Sequence, residues 1–125
     1  MGESSPAFAT LDASAAKVRD FQARLVAAGF GDGYEAAHAR LILDVIRAAH
    51  ERQSLLASGK LAPLPEVSQA AADKSYVDTA ANLYDGLAAL MKSYAQSSDD
   101  RAQKIANLWS EEEKKRMGPG PSHGN

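Results

Sequence analysis

The spacing of Glu35 and His38 is the sequence feature closest to a recognised chemistry. A Glu and a His three residues apart lie side by side on a helix, and this E-x-x-H pattern supplies metal ligands in di-iron helical bundles. His38 also falls on the apolar stripe predicted for its helix, where an ionisable ring requires a partner. Glu35 and His38 are therefore candidate metal ligands.

A complete di-iron site needs a second E-x-x-H and two further inward Glu residues, and the chain has no second E-x-x-H. His50 lies about 18 Å along the helix from His38, too far to share one ion with it. We therefore expect His38 to be a core or rim histidine held by a hydrogen bond, and we predict no cofactor. A metal- or small-ligand-binding bundle centred on Glu35 and His38 stays as the alternative.

The sequence contains no recognisable catalytic constellation. The glycine-rich segment 29–33 lacks the G-x-x-x-x-G-K-[ST] pattern of a phosphate-binding loop, and a turn between two helices explains its glycines better. No G-x-S-x-G nucleophile pattern occurs, and the chain has no cysteine. These observations predict a protein that is not an enzyme.

The spacing of apolar residues predicts four helices, of which the first follows a flexible arm over residues 1–10. Asp12 or Ser14 is expected to cap this helix, and Gly29 to end it, because glycine enters the left-handed conformation without steric cost. The larger apolar side chains of the first helix share one face: Leu11, Val18, Phe21 and Leu25.

The second helix is predicted from about Tyr34 to Ser58, with Asp32 as its N-cap and Gly59 at its end. A step of 100° per residue places Leu43 on the side away from the apolar stripe. That stripe comprises Tyr34, His38, Leu41, Ile42, Val45, Ala49 and Leu56.

The third helix is predicted over Glu66–Ala95, and rows of apolar residues seven positions apart give it a wide face that requires partner helices. The fourth is predicted from a capping box at Ser97 and Asp100, with Ser98 as the alternative cap, to about Met117. Six apolar side chains of these two helices are the predicted interaction residues: Tyr76, Leu83, Leu87, Leu90, Tyr94 and Trp109.

Length and composition predict one all-α domain. The chain has 125 residues, of which 25 are alanine, and alanine favours helices that pack closely. Three short connectors make neighbouring helices antiparallel, which predicts an up-down-up-down four-helix bundle over residues 11–117. Residues 118–125 are rich in Gly and Pro and are expected to be a disordered tail.

The formal net charge of −2 argues against a nucleic-acid partner, and no apolar run approaches the ~18 residues of a membrane span. We expect a cytoplasmic, non-enzymatic interaction module, such as an adaptor, a chaperone or an assembly subunit. Its partner is expected to be another protein or further copies of the chain, because an alanine-rich core is thin and oligomerisation commonly completes such cores.

Overall fold

The computed structural model describes the backbone of residues 6–117 and the side chains of residues 8–111. This part of the chain contains no strand. Helices adjacent in sequence contact each other, the first also contacts the fourth, and the first and third approach across the diagonal. The all-α, up-down-up-down four-helix bundle is therefore confirmed. Its helices are α1 (Pro6–Ala27), α2 (Tyr34–Ala57), α3 (Glu66–Ala95) and α4 (Asp100–Met117).

Two glycines end the first two helices as predicted. Gly29 has a φ of 90° and Gly59 a φ of 79°, a region that side chains with a Cβ rarely enter. Beyond Gly29, the Phe30 N–H donates to the Leu25 carbonyl at 2.7 Å, which satisfies a carbonyl at the helix end. Each chain reversal is thus completed within a few residues, and the next helix runs back along the previous one.

The predicted flexible arm is wrong for residues 6–10, because α1 already begins at Pro6. Proline is favoured at the first helical position, where its missing N–H has no intrahelical role. Phe8 is only 6% exposed and meets the His50 ring edge-on, so the added turn of helix contributes to the core. Asp12 lies inside the helix and does not cap it. Residues 1–5 and the predicted tail, residues 118–125, lie outside the described part of the chain.

The predicted N-caps of α2 and α4 are also wrong, each by one or two residues. Gly33 rather than Asp32 precedes α2, and it makes no side-chain cap. At α4 the Oδ2 atom of Asp99 accepts the Ala102 N–H at 2.9 Å, so Asp99 replaces the predicted Ser97. A carboxylate immediately before the helix reaches the third amide of the first turn, which explains the preference for Asp99.

The buried face of α2 is rotated by about one residue step, ~100°, from the predicted stripe. Tyr34 is 66% exposed and Leu41 49%, whereas Leu43, expected on the solvent side, is half-buried against the core. The large apolar side chains of α1 cause this rotation, because α2 has to cover them as well as α3. The buried residues of α2 are Glu35, Ala36, Ala39, Ile42, Ile46 and Ala49.

The core of the bundle has a close-packed centre on α3 and an aromatic cluster between α1 and α4. Leu87 is fully buried in the middle of α3. Phe21 and Trp109 meet edge to face with their ring centroids 5.0 Å apart. The Lys17 ammonium lies 4.2 Å from the centroid of the Trp109 ring, a cation–π contact that favours burial of its alkyl chain.

We expect Leu87→Ala to lower the free energy of unfolding by about 2–5 kcal/mol, because the cavity left in the middle of α3 cannot close. Leu64→Ala is the matched control, since Leu64 is 47% exposed in the α2–α3 connector. This variant should lower the free energy of unfolding by no more than about 0.5 kcal/mol. Denaturant midpoints of both variants measure the difference. Equal losses would contradict the assignment of Leu87 to the core.

Candidate functional site

A buried carboxylate lies at the end of the bundle where α2 and α4 begin. The Glu35 side chain is 2% exposed, and the Arg101 guanidinium meets it end-on, through both terminal nitrogens. Arg101 Nη2 donates to Oε1 at 2.8 Å and Nη1 donates to Oε2 at 3.0 Å. The Tyr94 hydroxyl also donates to Oε2. We call Glu35, Tyr94 and Arg101 the Glu35 clamp.

Three helix ends position the Glu35 clamp. Glu35 lies in the first turn of α2, where the exposed amide groups favour a negative charge. Tyr94 belongs to the last turn of α3, and Arg101 to the first turn of α4. The guanidinium carbon of Arg101 lies 5.4 Å from the Phe30 ring centroid, so the α1–α2 turn covers the ion pair from a further side.

Gly33 gives the clamp its space. A Cβ atom at this position would lie 2.5 Å from Arg101 Nη2 and 2.8 Å from Glu35 Oε1. Gly33 has a φ of −87°, so steric room rather than an unusual backbone conformation requires glycine here. Any larger residue would displace the ion pair.

The surroundings of Glu35 favour its ionised form. The pKa of Glu35 is lowered from 4.5 to about 2. The hydrogen bond from Arg101 is the largest cause, burial acts in the opposite direction, and the Tyr94 hydroxyl adds to the lowering. The hydrogen bond to the Glu35 carboxylate, with burial, raises the pKa of Tyr94. The pKa of Arg101 is raised chiefly by its hydrogen bond to the same carboxylate. The clamp is therefore an ion pair with a neutral tyrosine.

The two candidate metal ligands have different partners. His38 Nε2 lies 2.9 Å from the Leu83 carbonyl oxygen, and because a carbonyl only accepts, this nitrogen carries the proton. Both carboxylate oxygens of Glu35 are occupied within the clamp. Among the described residues, no group of three or more His, Asp or Glu side chains is placed to hold a metal ion. The hydrogen-bonded role expected for His38 matches this contact.

The predicted interaction residues lie within the bundle. Leu87 and Trp109 are buried, and Tyr94 serves the clamp. The remaining three are half-buried against the core: Tyr76, Leu83 and Leu90. These six side chains pack in the chain's own core, so its exposed apolar surface lies elsewhere.

The clamp as a unit was not predicted, and Arg101 was missed. One signal pointed to Glu35, because it begins a regular row along α2: Glu35, Ala39, Ile42, Ile46 and Ala49. A helical wheel centred on that row places Glu35 inward, and a buried carboxylate is costly unless a cation pairs with it. Nothing in the spacing identifies Arg101, which is 66 residues away.

Most of the exposed large apolar side chains belong to α2, α3 and the connector between them. Seven such side chains are exposed in the described range, and all but Val26 lie on α2, its connector or the start of α3. Those six are Tyr34, Leu41, Leu55, Leu61, Leu64 and Val67. We call residues 34–95 the α2–α3 hairpin.

Polar contacts join the two helices of the hairpin near its tip. Arg52 Nη1 donates to Asp73 Oδ1 at 2.5 Å, and Gln53 donates to the same oxygen at 2.7 Å. The Arg52 side chain is 12% exposed, so this pair is shielded more than the surface ion pairs. The exposed side chains near the tip therefore lie on a braced pair of helices.

We expect Arg101→Ala to lower the free energy of unfolding by about 2–4 kcal/mol, because it leaves the buried Glu35 charge without its cation. The range lies below that of a fully buried pair, since the Arg101 side chain is 46% exposed. Lys104→Ala is the control: Lys104 pairs with Asp100 at the surface of the same helix, and its loss should cost at most about 0.5 kcal/mol. Similar losses in urea titrations would refute the structural role of the clamp.

We also expect the clamp to make stability depend on acid pH. Since folding lowers the pKa of Glu35 from 4.5 to about 2, its contribution is complete above pH 4.5 and is lost as the pH falls towards 2. That contribution is about 3 kcal/mol, at 1.36 kcal/mol per pKa unit.

Unfolding midpoints between pH 2 and pH 7 measure this contribution. Glu35→Gln should remove the contribution of Glu35, so that the unfolding midpoint changes less as the pH falls below 4.5. Tyr94→Phe keeps the ring and removes one hydrogen-bond donor to Glu35. Its loss of stability in acid should therefore begin at a higher pH than in the wild type, and its effect should be smaller than that of Glu35→Gln. The same pH dependence of the unfolding midpoint in all three proteins would show that Glu35 is not the group whose protonation destabilises the protein in acid.

In the described part of the chain, none of the four helices has a stretch long and apolar enough to cross a membrane. Protein-family models, curated protein sequences and solved structures give no match to the chain.

Proposed function

We propose that the protein is a non-enzymatic helical interaction module, an adaptor, chaperone or assembly subunit, whose contact surface is the outer side of the α2–α3 hairpin. One observation carries this proposal: six of the seven large apolar side chains exposed in the described range lie on this hairpin. Apolar side chains gathered on one side of a bundle favour contact with another protein, because association removes them from water.

Ion pairs accompany the exposed apolar side chains of the hairpin. Arg47 pairs with Asp44 on α2 at 2.9 Å, and Lys74 pairs with Asp78 on α3 at 2.5 Å. The exposed apolar residues of the hairpin extend from Tyr34 in the first turn of α2 to Val67 in the first turn of α3. Large exposed apolar groups with ion pairs around them are typical of a protein–protein interface, which has an apolar core and a polar rim.

A cytoplasmic location and a protein rather than a nucleic-acid partner belong to this proposal. The chain has no cysteine, as suits a reducing compartment, and its formal net charge is −2. A nucleic-acid-binding surface would need clustered cations, whereas Arg40 and Arg47 both lie beside Asp44.

Site-specific photo-crosslinking in cells that produce the chain tests this proposal. A photoreactive residue at position 41 or position 67 should give a discrete protein adduct, because both side chains point outward on the hairpin. Lys104 and Asn107 are the matched control positions, since both are exposed on α4. Equal labelling at all four positions, or none at positions 41 and 67, would contradict the proposed surface.

A further inference from the structure

We propose that the partner at the middle of this surface is a second copy of the chain, so that two α2–α3 hairpins pair face to face. This inference rests on the proposed function and assigns an occupant to its surface. Each copy contributes a ridge and a furrow. The ridge is formed by Tyr34 and Leu41 on α2, which are 66% and 49% exposed.

The furrow is a row of exposed residues on α3, spaced by four and three positions, that contains no charged and no large side chain. Because small side chains let helices approach closely, a helix from a partner can lie deep in this furrow. The furrow consists of Ser75, Thr79, Asn82, Gly86, Ala89 and Ser93.

Ridge and furrow lie side by side on the same face. A Cβ atom at Gly86 would be 3.7 Å from the His38 ring, and the same ring is bonded to the Leu83 carbonyl. Nearer the tip, Asp44, Val45 and Ala48 of α2 face the start of the furrow across a surface cavity of about 280 Å³. The two features therefore form one continuous face of two helices.

Charged side chains lie beside the ridge and beside the furrow, and each of these two sets holds both signs. On the α2 border Asp44 accepts a hydrogen bond from Arg47 at 2.9 Å. On the α3 border Lys74 donates to Asp78 at 2.5 Å. Two copies therefore meet mostly through uncharged side chains, with ion pairs beside them, which resembles the apolar core and polar rim of protein–protein interfaces.

The size of the face matches a stable dimer. Tyr34 to Leu55 spans about 32 Å of helix, and two helices side by side are about 20 Å wide, which gives a flat area of about 600 Å². A standard interface buries about 800 Å² of accessible surface per partner, and accessible surface exceeds flat area because side chains make it uneven. A single partner helix would cover only about half of this face.

A twofold axis parallel to the helices makes the face self-complementary. Such an axis places α2 of each copy over α3 of the other at the same height along the bundle. His38 is level with Leu83 and Gly86, so Leu41, one turn further along α2, is level with Asn82 of the antiparallel α3. Leu41 of one copy then enters the furrow of the other beside Asn82, and the same contact occurs twice.

Sedimentation equilibrium of the purified full chain over a concentration series tests the dimer. The wild type should approach twice the mass of the chain, and Leu41→Lys should weaken the dimer at least about tenfold. Val26→Lys is the matched control, because Val26 is 60% exposed on α1 away from the face, and its dissociation constant should be unchanged. Circular dichroism checks that each variant is folded.

Mixing two variants tests the register. A chain with Leu41→Lys and a chain with Asn82→Glu should each dimerise poorly alone, and the mixture should form a heterodimer in which the introduced charges pair. Failure of the mixture to associate would overturn the proposed ridge-to-furrow register. Dimers unaffected by Leu41→Lys would overturn the choice of face.

The crosslinking and sedimentation results together separate the two proposals. A wild type that stays monomeric at every concentration overturns the pairing of two copies. If position 41 then still crosslinks to a different protein, the proposed interaction module is retained. A monomer without adducts at positions 41 and 67 overturns both.

Discussion

The need to pair one buried carboxylate constrains the whole of this bundle. An ionised carboxylate removed from water is costly unless charged and hydrogen-bonding partners surround it. Glu35 therefore requires Arg101 from α4 and Tyr94 from α3 at defined positions. Within the described residues, α2 and α4 lie on the diagonal without a close backbone approach, so the Glu35–Arg101 pair links them directly. Gly33 and the Phe30 ring extend the same constraint to the α1–α2 turn.

The two ends of the bundle consequently differ. At the clamp end, three helices and a turn meet around one charge, and the exposed large apolar side chains there are Val26 and Tyr34. At the other end, α3 continues beyond the shorter α4, and the contact between Arg52 and Asp73 braces the hairpin. Leu61 and Leu64 then lie on the connector without a covering helix. The division into a closed end and an exposed end follows from unequal helix lengths and from the placement of the buried charge.

The rotation of α2 connects the clamp to the proposed contact face. Turning this helix towards α1 buries Glu35 and Ile46, and the same turn moves Tyr34 and Leu41 to the outside. On α3 the residues beside them are small and uncharged, with Gly86 close to the His38 ring. A ridge next to a furrow is thus a consequence of how the core packs, and a twofold arrangement of two chains would cover both.

The sequence by itself determined the number of helices, the bounds of α2 and α3 and the glycines that end α1 and α2, because spacing and turn chemistry are local properties. It also identified Glu35 as a candidate metal ligand and His38 as a ring that needs a partner. Tertiary structure decided which partners they have: Arg101 and Tyr94 for the first, the Leu83 carbonyl for the second. It also set the rotation of α2 and the extra turn at Pro6. These depend on contacts between residues far apart in the chain, which periodicity within one helix does not encode.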